Sequence, residues 1–335
     1  MNKEAIMAGV TILTESELRK IIQVDREAID AIAHAFTWLT EGKAAMPPIM
    51  HIPCGNKGDV DIKAAYVEGL ERFAVKLGAG FFGNRLLGLP SSPAMMVVLS
   101  STTGVCQAVL LDNAYLTDVR TAAAGAVAAL HLAPEQVETA GVIGAGAQGR
   151  YQMMALKVVR NFKRLLVYDL DAEGVKKYIE EMTRVLKVEV VAASGPEEVI
   201  RESQSVVTST PSRKGYVEKE WLHEGLHITA MGADLPEKQE LFTDAPTGFD
   251  VLSCDRKTQS FKMGELHHAF DAGLINGEMV IELGELTSGK KMGRTNEKEI
   301  TLCDLSGTGV QDTAIAVMAL EKAARLGLGS VIETR

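Results

Sequence analysis

The apolar positions along the chain change their period twice. Val10 to Leu13 form a short apolar run, and Thr14-Glu15-Ser16-Glu17 then offers a helix cap with early acids. Ile29, Ile32, Ala33 and Phe36 recur at helical spacing until Gly42. From Asp59 to Leu111 the texture becomes short strand-like pieces, "VDIKAAYV", "FAVKLGAGF", "AMMVVLS" and "VCQAVLL", with glycine and proline between them. This predicts a small mixed α/β unit, mostly antiparallel. "LTDVRTAAAGAVAALHLA" reads as a strong helix ended by Pro134. Beyond it the apolar runs "TAGVIGAG", "RLLVYDLD", "EVVAA", "SVVTSTP", "HITAMGAD" and "DVLSCD" alternate with helical stretches, and "ITLCDLSGTG" leads into a last helix, "VQDTAIAVMALEKAARLGL". Such alternation implies βαβ units and a parallel sheet.

The first strand-to-helix turn of that series reads "GVIGAGAQGR". Gly144 permits a tight turn, Gly146 lets the backbone approach a pyrophosphate, and Gly149 lets the helix lie close to the strand, so that the helix amides and dipole face an anion. A dinucleotide site also needs an acid about 20 residues further on, at the end of the second strand. Asp169 is in place, although it could merely start the next turn, and Asp171 could share the role. The Asp169 carboxylate would accept the adenosine ribose hydroxyls and repel a 2′-phosphate, favouring NAD over NADP. The expected fold is therefore α/β: a Rossmann-type doubly wound parallel sheet plus the smaller mixed unit.

At 335 residues the chain exceeds one ordinary hydrophobic core, in keeping with two domains. A net charge of -9 without a basic stripe argues against a nucleic-acid surface and for small-molecule chemistry. The four cysteines are far apart and form neither a zinc spacing nor a disulfide framework. His267-His268 with Glu265 lacks the spacing of a metal helix, so no metal is expected and a surface or capping role is favoured. Residues 1–9 lack the features of a signal peptide and no apolar run could cross a membrane, which predicts a cytoplasmic protein.

Four charges sit in unusual company. Lys76 lies within an apolar strand, either buried or at an edge pointing to water. Arg120 lies near the head of an alanine helix, where a cation opposes the dipole unless an anion neutralises it; Asp118 or Asp112 could pair with it, as could a ligand carboxylate or pyrophosphate. Asp234 follows a strand and a glycine, where ligands of parallel sheets bind, and reads as a general base or as a cap before "PEKQEL". Lys63, in "VDIKAAYV", reads on its own as part of a solvated face.

The stretches "VKLGAG", "LLDNAYLTDVRTAAAGAVAA", "VIGAGAQGR", "GADLPEKQEL" and "SGTGVQD", in this order, resemble the ornithine cyclodeaminase and μ-crystallin family over nearly the whole chain. Within it, "GDVDIKAAYVEGLERFAVKLGAGFFGNRLLGLPS" is most similar to the ectoine-utilization branch, EutC. The resemblance implies an NAD(P)(H)-dependent oxidoreductase acting on a C–N bond. It would reduce an imino acid or cyclic imine, or oxidise the matching amino acid, in ectoine or hydroxyectoine catabolism. The alternatives are an ammonia lyase of the ornithine cyclodeaminase type with tightly bound NAD, and a μ-crystallin-like NAD(P)-binding protein with little turnover.

By position, the resemblance makes Lys76 and Arg120 the pair that holds a substrate carboxylate, Arg120 also lying near the nicotinamide, and Asp234 the handler of the amine or imine proton. Thr121, Gly144, Gly146, Ala147, Gln148, Asp169, Thr208, Thr210, Met231 and Ser306 would line the dinucleotide. Two departures stand out. Where relatives carry an arginine after a proline, this chain has Ile49, Met50 and His51, and where ornithine cyclodeaminase has a glutamate for the distal amine, it has Lys63. Lys63 would repel ornithine and favour a substrate with a second anionic or acyl group. The resemblance also implies a substrate and dimerisation domain of residues 1–125 closed by a C-terminal helix, 312–335, a dinucleotide domain of residues 126–311, and a homodimer.

Overall fold

The computed structural model describes residues 9–334. Residues 1–8, read above for targeting features, lie outside them. The chain divides into two units, one of residues 1–23, 41–120 and 308–335, the other of residues 24–40 and 121–307.

The first unit is built on β1 (Val10–Thr14), β2 (Ala44–Ala45), β3 (Met50–Pro53), β4 (Asp59–Val67), β5 (Arg72–Gly80), β6 (Ala94–Ser100) and β7 (Cys106–Leu111). With Ser330–Ile332 they form one sheet in the order Ser330–Ile332, β1, β7, β6, β5, β4, β2, with β3 also on β4. The pairing is antiparallel except between β1 and β7. Alternation gives the sheet two different faces. Ala65, Ala74, Val98 and Ala108 share a buried rung, and Lys63, Lys76, Met96 and Leu110 share the next one on the same face. The helix Gly309–Leu326 covers this face, and Thr313 anchors it: its hydroxyl donates to the Ala65 carbonyl (2.7 Å) and accepts from the Ala74 amide (3.0 Å). The opposite face carries Ala64, Val75, Val97 and Val109, apolar and only half-buried.

The second unit holds β8 (Thr139–Ile143), β9 (Arg164–Tyr168), β10 (Glu189–Ala192), β11 (Ser205–Thr208), β12 (Arg213–Val217), β13 (His227–Ala230), β14 (Gln239–Leu241), β15 (Val251–Cys254), β16 (Val280–Glu282) and β17 (Thr301–Asp304). Eight of them make a wholly parallel sheet, ordered β10, β9, β8, β11, β13, β17, β15, β16, while β12 and β14 pair apart from it. The direction of winding reverses between β8 and β11, the doubly wound arrangement expected from the strand and helix alternation, with β17 inserted between β13 and β15. Its central strands β11, β13 and β17 are buried at every residue because both faces are covered. Met153, Tyr178 and Met182 from two helices pack on one core, and Val199, Ile200 and Leu266 belong to another.

The division departs from the expected one most at one helix. The helix Arg26–Thr40 belongs with the second unit, not with the sheet that surrounds it in sequence. Its stripe of Ile29, Ile32, Phe36 and Leu39 is buried, and Thr37 bonds Thr287 of the short helix Leu283–Thr287 at 2.8 Å. An amphipathic helix goes where its apolar stripe finds a partner, and spacing along the chain does not name that partner. The other breaks fall after residues 120 and 307, so residues 308–311 join the first unit.

Candidate active site

In the first unit, three elements bring charge to one place. β5 carries Lys76, and the Lys63↔Lys76 register of β4 puts a second lysine directly opposite on the same face. The helix Tyr115–Leu132 carries Arg120. Its start is fixed by a strained turn: Asn113 and Ala114 both have positive φ (50° and 71°), and the buried Asp112 carboxylate accepts from the Leu116 amide at 2.9 Å. The helix Gly309–Leu326 contributes Gln311 and Asp312 from its first turn.

The resulting cluster is buried. Asp312 Oδ2 lies 3.4 Å from Lys76 Nζ and Oδ1 2.9 Å from Arg120 Nε, while Arg120 Nη1 donates to Gln311 Oε1 at 2.7 Å. Arg120 Nε and both Asp312 oxygens sit within ion-pair range yet complete no aligned hydrogen bond. Burial, then the Arg120 guanidinium, push Lys76 down to about 7, with Lys63 acting in the same direction and the Asp312 carboxylate only partly opposing them. Burial raises Asp112 to about 6. Lys76 is thus not an edge lysine in water, and Arg120 pairs with Asp312. Asp312 was not among the candidates: an acid in a first helical turn looks like ordinary compensation of the dipole.

In the second unit, β8 runs into the glycine turn and the helix Ala147–Val159. Gly144 has φ +109°, and a side chain there would meet the Ser209 carbonyl oxygen at 2.7 Å; one at Gly149 would strike the Gly144 carbonyl. Gly146 is the helix N-cap, with nothing within 4 Å of where a Cβ would lie and no acid in the first turn. The residues therefore fit a phosphate group: an open floor, free of side chains, at the start of a regular helix. Ala147 is exposed beside it and Gln148 half-buried. Asp169 stands at the end of β9 and ties the turn together, accepting from Ala145 N–H (2.8 Å) and Asp171 N–H (2.9 Å). Asp171 does not share this position, because its side chain caps the next helix through Glu173 N–H. Arg150, missed in the sequence reading, bonds the Ala145 and Gly146 carbonyls and pairs with Glu181 at 2.7 Å.

Of the remaining cofactor candidates, Thr208, Thr210 and Ser306 stand at or just beyond the carboxyl ends of strands with their hydroxyls on buried carboxylates, whereas Thr121 lies in the helix Tyr115–Leu132. Thr208 and Thr210 donate to Glu240, and Ser306 donates to Asp255 at 2.8 Å. Met231 is half-buried just after β13, and Thr121 accepts from Gln152 through its carbonyl (2.9 Å). Asp234 is exposed, and its carboxylate is occupied by Lys238, a turn-length pair. His267 is buried rather than on the surface and bonds the Gly264 carbonyl at 2.8 Å, while Glu265 serves the β14 backbone.

Comparison with known proteins converges on one family. Residues 10–326 match the model of the ornithine cyclodeaminase/mu-crystallin family. A Sinorhizobium fredii protein named as an uncharacterized cyclodeaminase is 44% identical over 98% of this chain and 100% of its own length. Among solved structures, an archaeal alanine dehydrogenase dimer with bound NAD superposes with a TM-score of 0.90 at 34% identity, covering 97% of this chain and 99% of that one. The Thermococcus litoralis Delta(1)-pyrroline-2-carboxylate reductase in complex with NADH and L-proline gives 0.92 at 32% identity, over 96% and 100%. With a buried cation pair in one unit, a glycine cradle in the other and these matches across the chain, the protein belongs to the ornithine cyclodeaminase/mu-crystallin family.

Proposed function

We propose that this protein is an NAD-dependent oxidoreductase that reduces the C=N bond of an α-imino acid or cyclic imine, or oxidises the matching amino acid. The observation that carries the reading is the buried Lys76–Arg120–Asp312 cluster, in which two cations meet one carboxylate. A buried excess of positive charge is stabilised by an incoming anion, and a substrate carboxylate supplies one. The glycine cradle and Asp169 would hold NAD, whose nicotinamide supplies or accepts the hydride. Lys76 and Arg120 would orient the carboxylate, and Asp234, released from Lys238, would exchange a proton with the nitrogen. Lys63, in register with Lys76, favours a substrate whose far end is anionic or acylated over a diamine. The similarity to the alanine dehydrogenase and the pyrroline-2-carboxylate reductase supports this chemistry.

The half-buried apolar face of the first unit supports a homodimer, since such a face is normally covered by a two-fold partner. No helix among the described residues is long and apolar enough to cross a membrane.

The test is a panel of imino and amino acids, ectoine-derived imines included, read in parallel by NADH absorbance and ammonia release. Stoichiometric NADH consumption with an imino acid is the expected result. Ammonia released from a diamine with no net change in NADH would make the protein a cyclodeaminase. NADH binding with neither signal would make it a binding protein.

A further inference from the structure

One buried carboxylate of the second unit gathers more hydrogen bonds than the reading above uses. Glu240, on β14, is fully buried. Its Oε2 accepts from the Thr208 hydroxyl (2.7 Å) and the Gly232 amide (2.9 Å). Its Oε1 accepts from the Thr210 amide (2.7 Å), the Thr210 hydroxyl (2.7 Å) and the Tyr216 hydroxyl (2.8 Å). Burying a carboxylate is costly unless donors replace water, and here they converge from three separate segments. The fit is close enough that a side chain at position 232 would overlap the Glu240 carboxylate. Beneath it, the Glu265 carboxylate receives the Glu240 amide (2.9 and 3.0 Å) and the Leu241 amide (2.6 Å), which fixes the backbone from which Glu240 reaches out.

The segments joined in this way have a topological meaning. Thr208 ends β11 and Thr210 begins the loop after it; Gly232 lies in the loop after β13, the next strand of the sheet. Ligands of doubly wound sheets bind at the carboxyl ends of strands, at the switch point, which here lies between β8 and β11. Asp169 sits on the β9 side of the glycine turn, where the adenosine half of a dinucleotide is held. The loops after β11 and β13 lie on the other side and are left for the second half.

Resting on the nicotinamide reading above, we propose that Glu240 is a positioning residue for the nicotinamide half of the cofactor: without touching it, the carboxylate sets the spacing of the loops after β11 and β13. The chemistry admits no near substitute. Each oxygen accepts from a backbone N–H, so a glutamine would turn its NH2 against the Thr210 or the Gly232 amide whichever way it flipped. Aspartate is one methylene short.

The experiment compares two probes of the purified full-length protein, ADP for the adenosine half and NADH for the whole dinucleotide, in Glu240→Gln and Tyr216→Phe. In Glu240→Gln, ADP affinity stays within about twofold while NADH affinity falls about tenfold or more, the equivalent of losing one charge-assisted hydrogen bond. Tyr216→Phe removes a single donor and keeps the carboxylate, so it moves the same ratio in the same direction by a smaller factor and carries the test if Glu240→Gln does not fold. Equal losses for ADP and NADH, or no change in either, would overturn the assignment, as would a wild-type protein that binds NADH no more tightly than ADP. A wild type that binds NADH tightly but reduces no imine removes the catalytic reading instead, and the affinity ratio still decides for or against Glu240.

Discussion

Two buried clusters, one in each unit, hold charge in opposite ways. In the first, Lys76, Arg120 and Asp312 lie within ion-pair range, but Arg120 Nε and the Asp312 oxygens make no aligned hydrogen bonds, and burial holds Lys76 down near 7. In the second, Glu240 accepts from its neighbours on both oxygens, and Asp255 accepts from Ser306 Oγ (2.8 Å), Gly307 N–H (2.7 Å) and Arg256 N–H (2.8 Å). Carboxylates satisfied by neutral donors hold loops in place. A misaligned cluster with an excess of cations keeps its capacity to bind an anion. Under the proposed function, the first cluster would do chemistry and the second would serve architecture.

The largest effect that can break this contrast belongs to Lys76. Lys76→Met should lower kcat/KM by about a thousandfold or more, the scale of losing a charge aimed at the reacting substrate, while NADH affinity stays within about twofold. Its stability at neutral pH should rise, because the buried amine that holds Lys76 down near 7 is a cost to the fold that methionine removes, while the Arg120–Asp312 pair survives. Activity within tenfold of wild type would show that Lys76 is as architectural as Glu240. Asp312→Asn should do the reverse in urea denaturation. It leaves two buried cations facing each other, and breaking a buried pair in this way costs about 3–5 kcal/mol. An Asp312→Asn variant as stable as wild type would mean that Lys76 and Arg120 are already neutralised by other groups.

Much of this was legible in the sequence, for reasons that differ by residue. The glycine turn carries its geometry in its own residues, so Gly144, Gly146 and Gly149 could be read directly and Asp169 found by counting. Lys76 and Arg120 announced themselves by being in the wrong company, a lysine in an apolar strand and an arginine near a helix start. Their partner did not, because Asp312 occupies the place where an acid needs no explanation. Glu240 sits in "PEKQEL", which looks like a solvated charge run, and only the folding of β12 and β14 around it encloses the carboxylate. The partner of helix Arg26–Thr40 was equally hidden: its stripe says that it is buried, not against what.

Within the second unit, Asp169 sharpens the contrast by belonging to both kinds, tying backbone amides while remaining half-exposed. Asp169→Ser should weaken NADH and relieve NADPH, shifting their affinity ratio by about ten- to a hundredfold, the worth of one or two hydrogen bonds to a charged group. Fluorescence titration with both nucleotides measures it. Equal weakening of both would reduce Asp169 to a strut of the glycine turn.

The smallest effect is a slope, but it tests the cluster in two directions at once. Lys76 titrates near 7 in the folded protein against an ordinary value of 10.5, so between these limits the unfolded chain binds a proton that the folded chain has lost. Its contribution to stability therefore rises with pH across this window, by up to about 1.4 kcal/mol per pH unit. Substrate capture runs the other way, because the ammonium that holds the carboxylate disappears, and kcat/KM should fall about tenfold per pH unit above 7. In Lys76→Arg the guanidinium keeps its proton throughout, so both slopes should flatten while some activity remains. If kcat/KM kept its alkaline fall in Lys76→Arg, the titrating group would lie elsewhere, and the first cluster would lose its claim to the chemistry.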